Sequence, residues 1–342
     1  MTQTPASARI LSPEEIAVRA GQAHPFLRLP ERSTVFADRA LRLRQLAAGH
    51  AMRDFLIFAA DVADAQHLLL ADMPEVVLPD SGALAEAANA GLAPLPATGT
   101  PRDPVWRDTL SRLLAQLSRR LPVDAPPRAA IAALRGADDQ KLERQADRLL
   151  NGVMRGLDLG MAPLIGAALQ VDWTHRVLAV QQRHGQDRIA PFGRTDDSGT
   201  CPCCASRPTA SITRIGAEET GYRFLHCSLC STQWHLVRIK CSHCLGTQGI
   251  SYQGLTPADA AAVPAAAVVP GAVQAETCEV CHQYLKIVHM ERDAEVEPVA
   301  DDLASLTLDL LVSESGMHRH GVNLMLLFGD PEPPPDPNDS SA

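Results

Sequence analysis

The sequence predicts an α+β chain: a helical N-terminal half, two small ribbons of four cysteines each, and a C-terminal helix. Three observations carry this. Residues up to Thr200 show repeated helical periodicity and no thiol. All nine cysteines lie between Cys201 and Cys281, eight of them as C-x-x-C pairs. Short strand-like runs bounded by glycine lie between and after those pairs.

The helical half can be read element by element. Ser12-Pro13-Glu14-Glu15 is a start signal, with a capping serine, proline at the first position and glutamate at the third, and predicts a helix over 13–20. Residues 23–32 read as extended. Ser33 opens a helix carrying Phe36, Ala40, Leu43 and Ala47, ended by Gly49. A longer helix runs over 52–73 with Phe55, Phe58, Ala59 and Val62 on one face and stops at Pro74. His67, among apolar neighbours, reads as a core histidine, not a ligand. Residues 74–103 form a Pro/Gly/Ala connector with one short helix near 83–90. The next helix, over 104–121, buries Trp106, Leu110, Leu113, Leu114 and Leu117. Helices over 128–135, 139–150 and 161–183 follow, the last an ordinary amphipathic mix with Trp173, His175, Arg176 and Gln181. No phosphate loop, nucleophile elbow or dinucleotide fingerprint is present.

The cysteine pairs are Cys201/Cys204, Cys227/Cys230, Cys241/Cys244 and Cys278/Cys281. Two intervening residues let a tight turn aim both sulfurs at one point, and two such turns complete a tetrahedral thiolate site. Eight paired thiols therefore predict two closed metal sites. A disulfide framework fits poorly with an odd cysteine count and an N-terminus lacking an apolar leader core. Between Cys204 and Cys227 lie 22 residues with runs over 211–215 and 222–226, a hairpin that returns the second pair to the first. A third strand over 232–239 places Trp234 and Leu236 on one face. The pattern then repeats, with runs over 249–253, 273–277 and 284–288. First-with-second and third-with-fourth pairing follows, although an interleaved arrangement also satisfies the spacing. His226, His235, His243 and His282 sit beside the pairs and read as neighbours of the sites. Cys203 is the spare middle residue of the first pair, or a free thiol.

After the ribbons, residues 299–312 predict a helix with Leu303, Leu306 and Leu310, stopped by Gly316. The chain thus divides into a helical domain over 1–190, a first module over 191–240, a second over 241–292, a C-terminal helix and tail over 293–328, and a disordered end over 329–342. An Ala/Pro-rich excursion over 256–272 interrupts the second module.

Net charge is −9, and from Cys201 to Arg292 seven Lys/Arg face six Asp/Glu. Neither balance suits a nucleic-acid binder, whose affinity rests on neutralising phosphates. No apolar run approaches the ~18 residues of a membrane span.

Several segments resemble the FdhE family, accessory proteins for formate dehydrogenase biogenesis. They are His24-Pro-Phe-Leu27, Asp54-Phe-Leu-Ile-Phe58, Ile165-Gly-Ala-Ala-Leu-Gln170, Leu225-His-Cys-Ser-Leu-Cys230, Thr232-Gln-Trp-His235, Val237-Arg-Ile-Lys-Cys241, Tyr284-Leu-Lys286 and Val299-Ala-Asp-Asp-Leu-Ala304. The resemblance covers most of the chain. It implies two rubredoxin-like sites, with Cys201, Cys204, Cys227, Cys230, Cys241, Cys244, Cys278 and Cys281 as ligands to two metal ions. Iron is favoured by the resemblance, and zinc fits the same thiolates. It also implies a non-catalytic, cytoplasmic role in which the chain binds the catalytic subunit of a respiratory formate dehydrogenase during maturation. An iron-containing electron carrier is the alternative. Family knuckles usually end in glycine, whereas Ala205 and His282 stand at two of those positions.

Overall fold

The computed structural model describes residues 26–188, 190–215, 221–255 and 271–327. The expectations for 13–20, for most of the 256–272 excursion and for 329–342 fall outside these residues. Seven helices come first among the described residues: α1 (Val35–Ala47), α2 (Arg53–Ala71), α3 (Ser81–Asn89), α4 (Val105–Arg120), α5 (Pro127–Arg135), α6 (Asp139–Asn151) and α7 (Ala162–His184). Their ends follow local chemistry. Asp80 accepts from the Ala83 amide at 2.9 Å to start α3, and Asp138 accepts from the Lys141 amide at 2.6 Å to start α6. Gly152, at φ 68°, ends α6 in the left-handed conformation that glycine adopts without a Cβ clash.

The predicted stripe of α4 is buried as read, with Trp106, Leu110, Leu113, Leu114 and Leu117 inside. By contrast, α7 is not an ordinary amphipathic helix. It is buried on nearly every side, Trp173 and His175 included, because it packs against α2, α4 and α6. Its charges are absorbed locally: Arg176 pairs with Asp172 at 2.7 Å and with Asp103 at 3.2 Å.

Eight strands form one sheet: β1 (Leu27–Arg28), β2 (Pro208–Thr213), β3 (Arg223–Cys227), β4 (Gln233–His235), β5 (Ile250–Gln253), β6 (Val273–Cys278), β7 (Gln283–His289) and β8 (His318–Arg319). The order is β1-β4-β3-β2-β7-β6-β5, with β8 also on β7. Each cysteine module repeats the sequence knuckle, strand, strand, knuckle, strand. The modules join where β2 lies parallel to β7, in register Ser211↔Ile287, Ile212↔Val288 and Thr213↔His289. The extended segment before α1 supplies β1, which covers the outer edge of β4. The third strand is shorter than predicted. After His235 the backbone leaves the sheet, and a turn closed by the Lys240 amide on the Val237 carbonyl (3.1 Å) swings the chain toward Cys241.

The predicted C-terminal helix is two helices, α8 (Pro298–Ala304) and α9 (Leu306–Glu314). Ser305 breaks it: its hydroxyl donates to the Asp301 carbonyl at 2.7 Å, while the Lys286 ammonium donates to the carbonyls of Asp302 and Ser305 at 2.8 and 3.2 Å. Lys286 is buried with Asp302 and Asp309, and Arg319 donates to both carboxylates. This cluster fastens α8 and α9 to β7. On the other side, Arg42 of α1 pairs with Asp301 and Asp293, both at 2.7 Å. No helix among the described residues is long and apolar enough to cross a membrane.

One hydrophobic core runs from α1, α2, α4 and α7 into the first module. It includes Cys201, Cys203, Cys204, Leu225, Cys227, Leu229, Cys230 and Trp234.

Candidate metal centres

All four knuckles share a left-handed turn just after the second cysteine. In three of them the amide of the residue after the second cysteine donates to the carbonyl of the first: Ala205 to Cys201 (2.7 Å), Leu245 to Cys241 (3.1 Å) and His282 to Cys278 (2.8 Å). That residue has positive φ in every knuckle: Ala205 59°, Ser231 58°, Leu245 59° and His282 54°. Among the described residues these are the only non-glycine positions with positive φ. The left-handed turn costs an L-residue about 1–2 kcal/mol, so four such turns imply a strong local requirement. The turn points amides at sulfur: those of Leu229 and Cys230 donate to Cys227 Sγ at 3.3 and 3.4 Å, and that of His243 to Cys241 Sγ at 3.4 Å.

The knuckles meet first with second and third with fourth. Cys201, Cys204, Cys227 and Cys230 form one group, and Cys241, Cys244, Cys278 and Cys281 another, with all ligand atoms of a group within 4.8 Å of one another. Within the first, sulfurs stand 3.6 Å (Cys201–Cys230), 3.4 Å (Cys204–Cys227) and 3.6 Å (Cys204–Cys230) apart. In the second, Cys241–Cys281 and Cys244–Cys278 are both 3.8 Å. A tetrahedral thiolate site with metal–sulfur bonds of ~2.3 Å has sulfur–sulfur edges of ~3.8 Å. Both groups could hold such an ion, and an all-thiolate tetrahedral donor set suits zinc or iron.

Electrostatics agree with that fit. Burial pushes the Cys201 and Cys227 thiols well above the ordinary thiol value and raises Cys281 to about 12, whereas at Cys230 the upward push of burial is outweighed by hydrogen bonds from the neighbouring thiols, which hold it well below that value. Four thiols gathered at one point, as in each group, ionise together only if a cation compensates the charge.

The two groups differ in surroundings. The four cysteines of the first are at most 1 % exposed and lie in the central core. Connector residues clamp it: the Leu95 amide donates to the Cys203 carbonyl and the Ala97 amide to the Cys204 carbonyl, both at 3.0 Å, and Trp173 Nε1 donates to the Leu95 carbonyl at 3.0 Å. In the second group Cys241 and Cys278 are buried, but Cys244 is exposed and Cys281 half-buried.

Cys203 stands outside both groups. It is buried, and the Thr232 hydroxyl, which accepts from Cys230 Sγ at 3.2 Å, donates to Cys203 Sγ at 3.6 Å. No histidine belongs to either group among the described residues. His226 is bonded to Gln233 at 3.3 Å, and burial pushes it down to about 3. His235 packs edge-on against Tyr222 and Phe224. His243 does the same against His320, and His282 serves by its backbone. His67 is half-buried on α2, outside both groups.

Sequence reasoning missed the left-handed turns at Ser231 and Leu245, though it marked Ala205 and His282. Applying the same positional rule to all four knuckles finds them. It also missed Leu95 and Ala97, for which a connector of Pro, Gly and Ala carries no signal. Ser81, His184 and Asp187 also gather, yet serine and carboxylate both face Nδ1 of His184, at 3.4 and 2.8 Å. A proton relay needs the two ring nitrogens to face different partners.

Comparison with known proteins covers nearly the whole chain. Three family models match: FdhE, N-terminal, over residues 24–188; FdhE, central domain, over 200–238; and FdhE, C-terminal domain, over 239–326. A Protein FdhE homolog of Pseudomonas aeruginosa is 37% identical over 327 residues, 94% of this chain and 99% of the relative. A homolog from Klebsiella pneumoniae is 36% identical over 95% of this chain and 100% of its own length. Protein FdhE of Salmonella newport gives the same figures. The crystal structure of the FdhE protein from Pseudomonas aeruginosa superposes with a TM-score of 0.76 at 36% identity, over 89% of this chain and 100% of that one.

Proposed function

This chain belongs to the FdhE family, and on that premise we propose that it is a non-catalytic accessory factor for formate dehydrogenase maturation. It acts in the cytoplasm by binding the catalytic subunit of that enzyme before assembly is complete. Cys201, Cys204, Cys227 and Cys230 hold one metal ion, and Cys241, Cys244, Cys278 and Cys281 hold a second. Iron is the preferred ion on family grounds. The observation that carries the reading is the near-complete family match combined with two groups of four thiols at tetrahedral spacing. Each set fills all four positions of its ion with protein sulfur, which suits binding and structural roles over substrate turnover.

The ion in the first site organises the core beneath α7 and the connector, and so holds the helices and the sheet as one binding body. When bound, iron would supply reversible one-electron chemistry and zinc would supply none. The test is purification without oxygen, with metal analysis, an absorption spectrum and detection of co-purified formate dehydrogenase catalytic subunit. Two ions per chain and the bound subunit are the expected result. Two irons with electron transfer to small acceptors and no bound subunit would favour an electron carrier instead. The exposed Cys244 is the feature that would serve one.

A further inference from the structure

The two four-cysteine groups have one backbone design but opposite access to solvent. The first lies in the central core, its cysteines at most 1 % exposed, under the Leu95–Ala97 clamp and the Gln170 and Trp173 side chains of α7. An incoming donor reaches it only if helices and sheet separate, and in a cooperative core that opening costs close to the free energy of global unfolding. The second group lies at the surface. Cys244 is exposed, Cys281 is half-buried, and the adjacent His243, Val280 and His282 are exposed as well. Its other two sulfurs are buried, so one side of the site is anchored while the other faces solvent.

We propose that the second site is an exchange site, which passes its ion to an incoming thiolate or chelating donor at Cys244 and Cys281, while the first holds its ion as long as the chain is folded. This rests on the metal-site assignment above. In each step a bond from the incoming donor to the ion forms and a Cys244 or Cys281 sulfur–metal bond breaks. The proton of an incoming thiol passes to the released cysteine thiolate, and no electron moves. Cys241 and Cys278 retain the ion until the acceptor holds it through two bonds; two further donor bonds then form as the Cys241 and Cys278 sulfur–metal bonds break, each released thiolate taking up the proton of the thiol that replaces it. The further activity is therefore ion transfer to a soft-donor acceptor, with one ion mobile per chain.

The experiment loads the full chain with zinc, counts bound ions, and adds excess 4-(2-pyridylazo)resorcinol while tryptophan fluorescence reports folding. The expected result is two ions loaded. One is released at a rate that rises with chelator concentration. The other leaves at least ~100-fold more slowly, at the rate of unfolding. Alkylation with iodoacetamide after the fast phase should label Cys241, Cys244, Cys278 and Cys281 and spare Cys201, Cys204, Cys227 and Cys230. Cys244→Ser should abolish the fast phase and keep the slow one. Release of both ions in a single phase, or early labelling of the first group, would overturn the exchange reading while leaving two metal sites standing. Loading of fewer than two ions would overturn the metal assignment itself, and exchange with it.

Discussion

Gln170 of α7 donates to the Ser228 carbonyl at 2.8 Å, and its Oε1 accepts from Gln66 of α2 at 2.9 Å. All three residues are buried. A relay of side-chain amides thus ties two helices to the loop of the second knuckle. Gln170→Leu should leave the Ser228 carbonyl and the Gln66 amide short of a partner and destabilise the fold by about 1–3 kcal/mol. Urea unfolding of the metal-loaded chain measures it. A loss below ~0.5 kcal/mol would show that the relay is replaced by water.

The left-handed turns predict gains. Ala205→Gly and His282→Gly remove a Cβ from positions at φ 59° and 54° whose side chains are exposed. Relief of about 1–2 kcal/mol, less the extra chain entropy of glycine of about 0.5–1 kcal/mol, leaves a net gain of roughly 1 kcal/mol each. Denaturant midpoints would rise in both variants; a fall in both would contradict the turn geometry.

The thiols divide by role. Cys227→Ala with Cys230→Ala should remove one metal equivalent and destabilise the core, since binding of a structural ion contributes to folding. Cys203→Ser should leave two ions per chain, because Cys203 lies outside both groups. Metal analysis on the two variants side by side decides it, and a single ion in Cys203→Ser would make that thiol a ligand.

Acid should weaken the fold through His320. Burial, aided by His243, Arg207, Arg223 and Arg319, pushes its imidazole down to about 3, while Nε2 is bonded to the Ser242 hydroxyl at 2.8 Å. The unfolded imidazole titrates near ~6.5. Between those values the unfolded chain binds a proton that the folded chain refuses. Stability is therefore full above ~6.5 and falls as pH drops through the window, by about 1.4 kcal/mol per unit. His320→Gln lacks this term, so the wild type should lose its advantage over the variant by roughly 1 kcal/mol at about pH 5.5. Urea unfolding of both proteins across that range measures the slope, and parallel curves would refute it.

Lys286→Met tests the charge cluster. It leaves Arg319 as the one cation paired with Asp302 and Asp309 among the described residues, beside the neutral donors Asn323 and Tyr284, and removal of one charged partner from such a buried cluster costs about 3–5 kcal/mol. Loss should appear in thermal unfolding, with α8 and α9 most affected in hydrogen exchange; an unchanged melting point would argue against the cluster.

Much of this was legible in the sequence because it is local. C-x-x-C spacing marks the four knuckles and the intervening strands favour first-with-second and third-with-fourth pairing, though an interleaved one fits the spacing too; Asp80 and Asp138 cap the starts of α3 and α6. What escaped depends on distant partners. The break at Ser305 requires Lys286 to arrive from β7, since Ser305 alone would sit in a helix. Likewise α7 reads as amphipathic until α2, α4 and α6 cover its polar side. The unequal burial of the two cysteine groups has no counterpart in their shared C-x-x-C spacing; it arises because only the first packs under the helices.

The parallel seam between β2 and β7 bears on the order in which the chain folds. Thr213 meets His289 across 76 residues, and every described contact of that seam is equally remote. Loop-closure entropy must be met before such pairings return anything, so they form late. As the chain leaves the ribosome, the outer edge of β2 waits until the whole second module has emerged and its last strand is shaped. Assembly of the buried half is thus completed by the half that was made last.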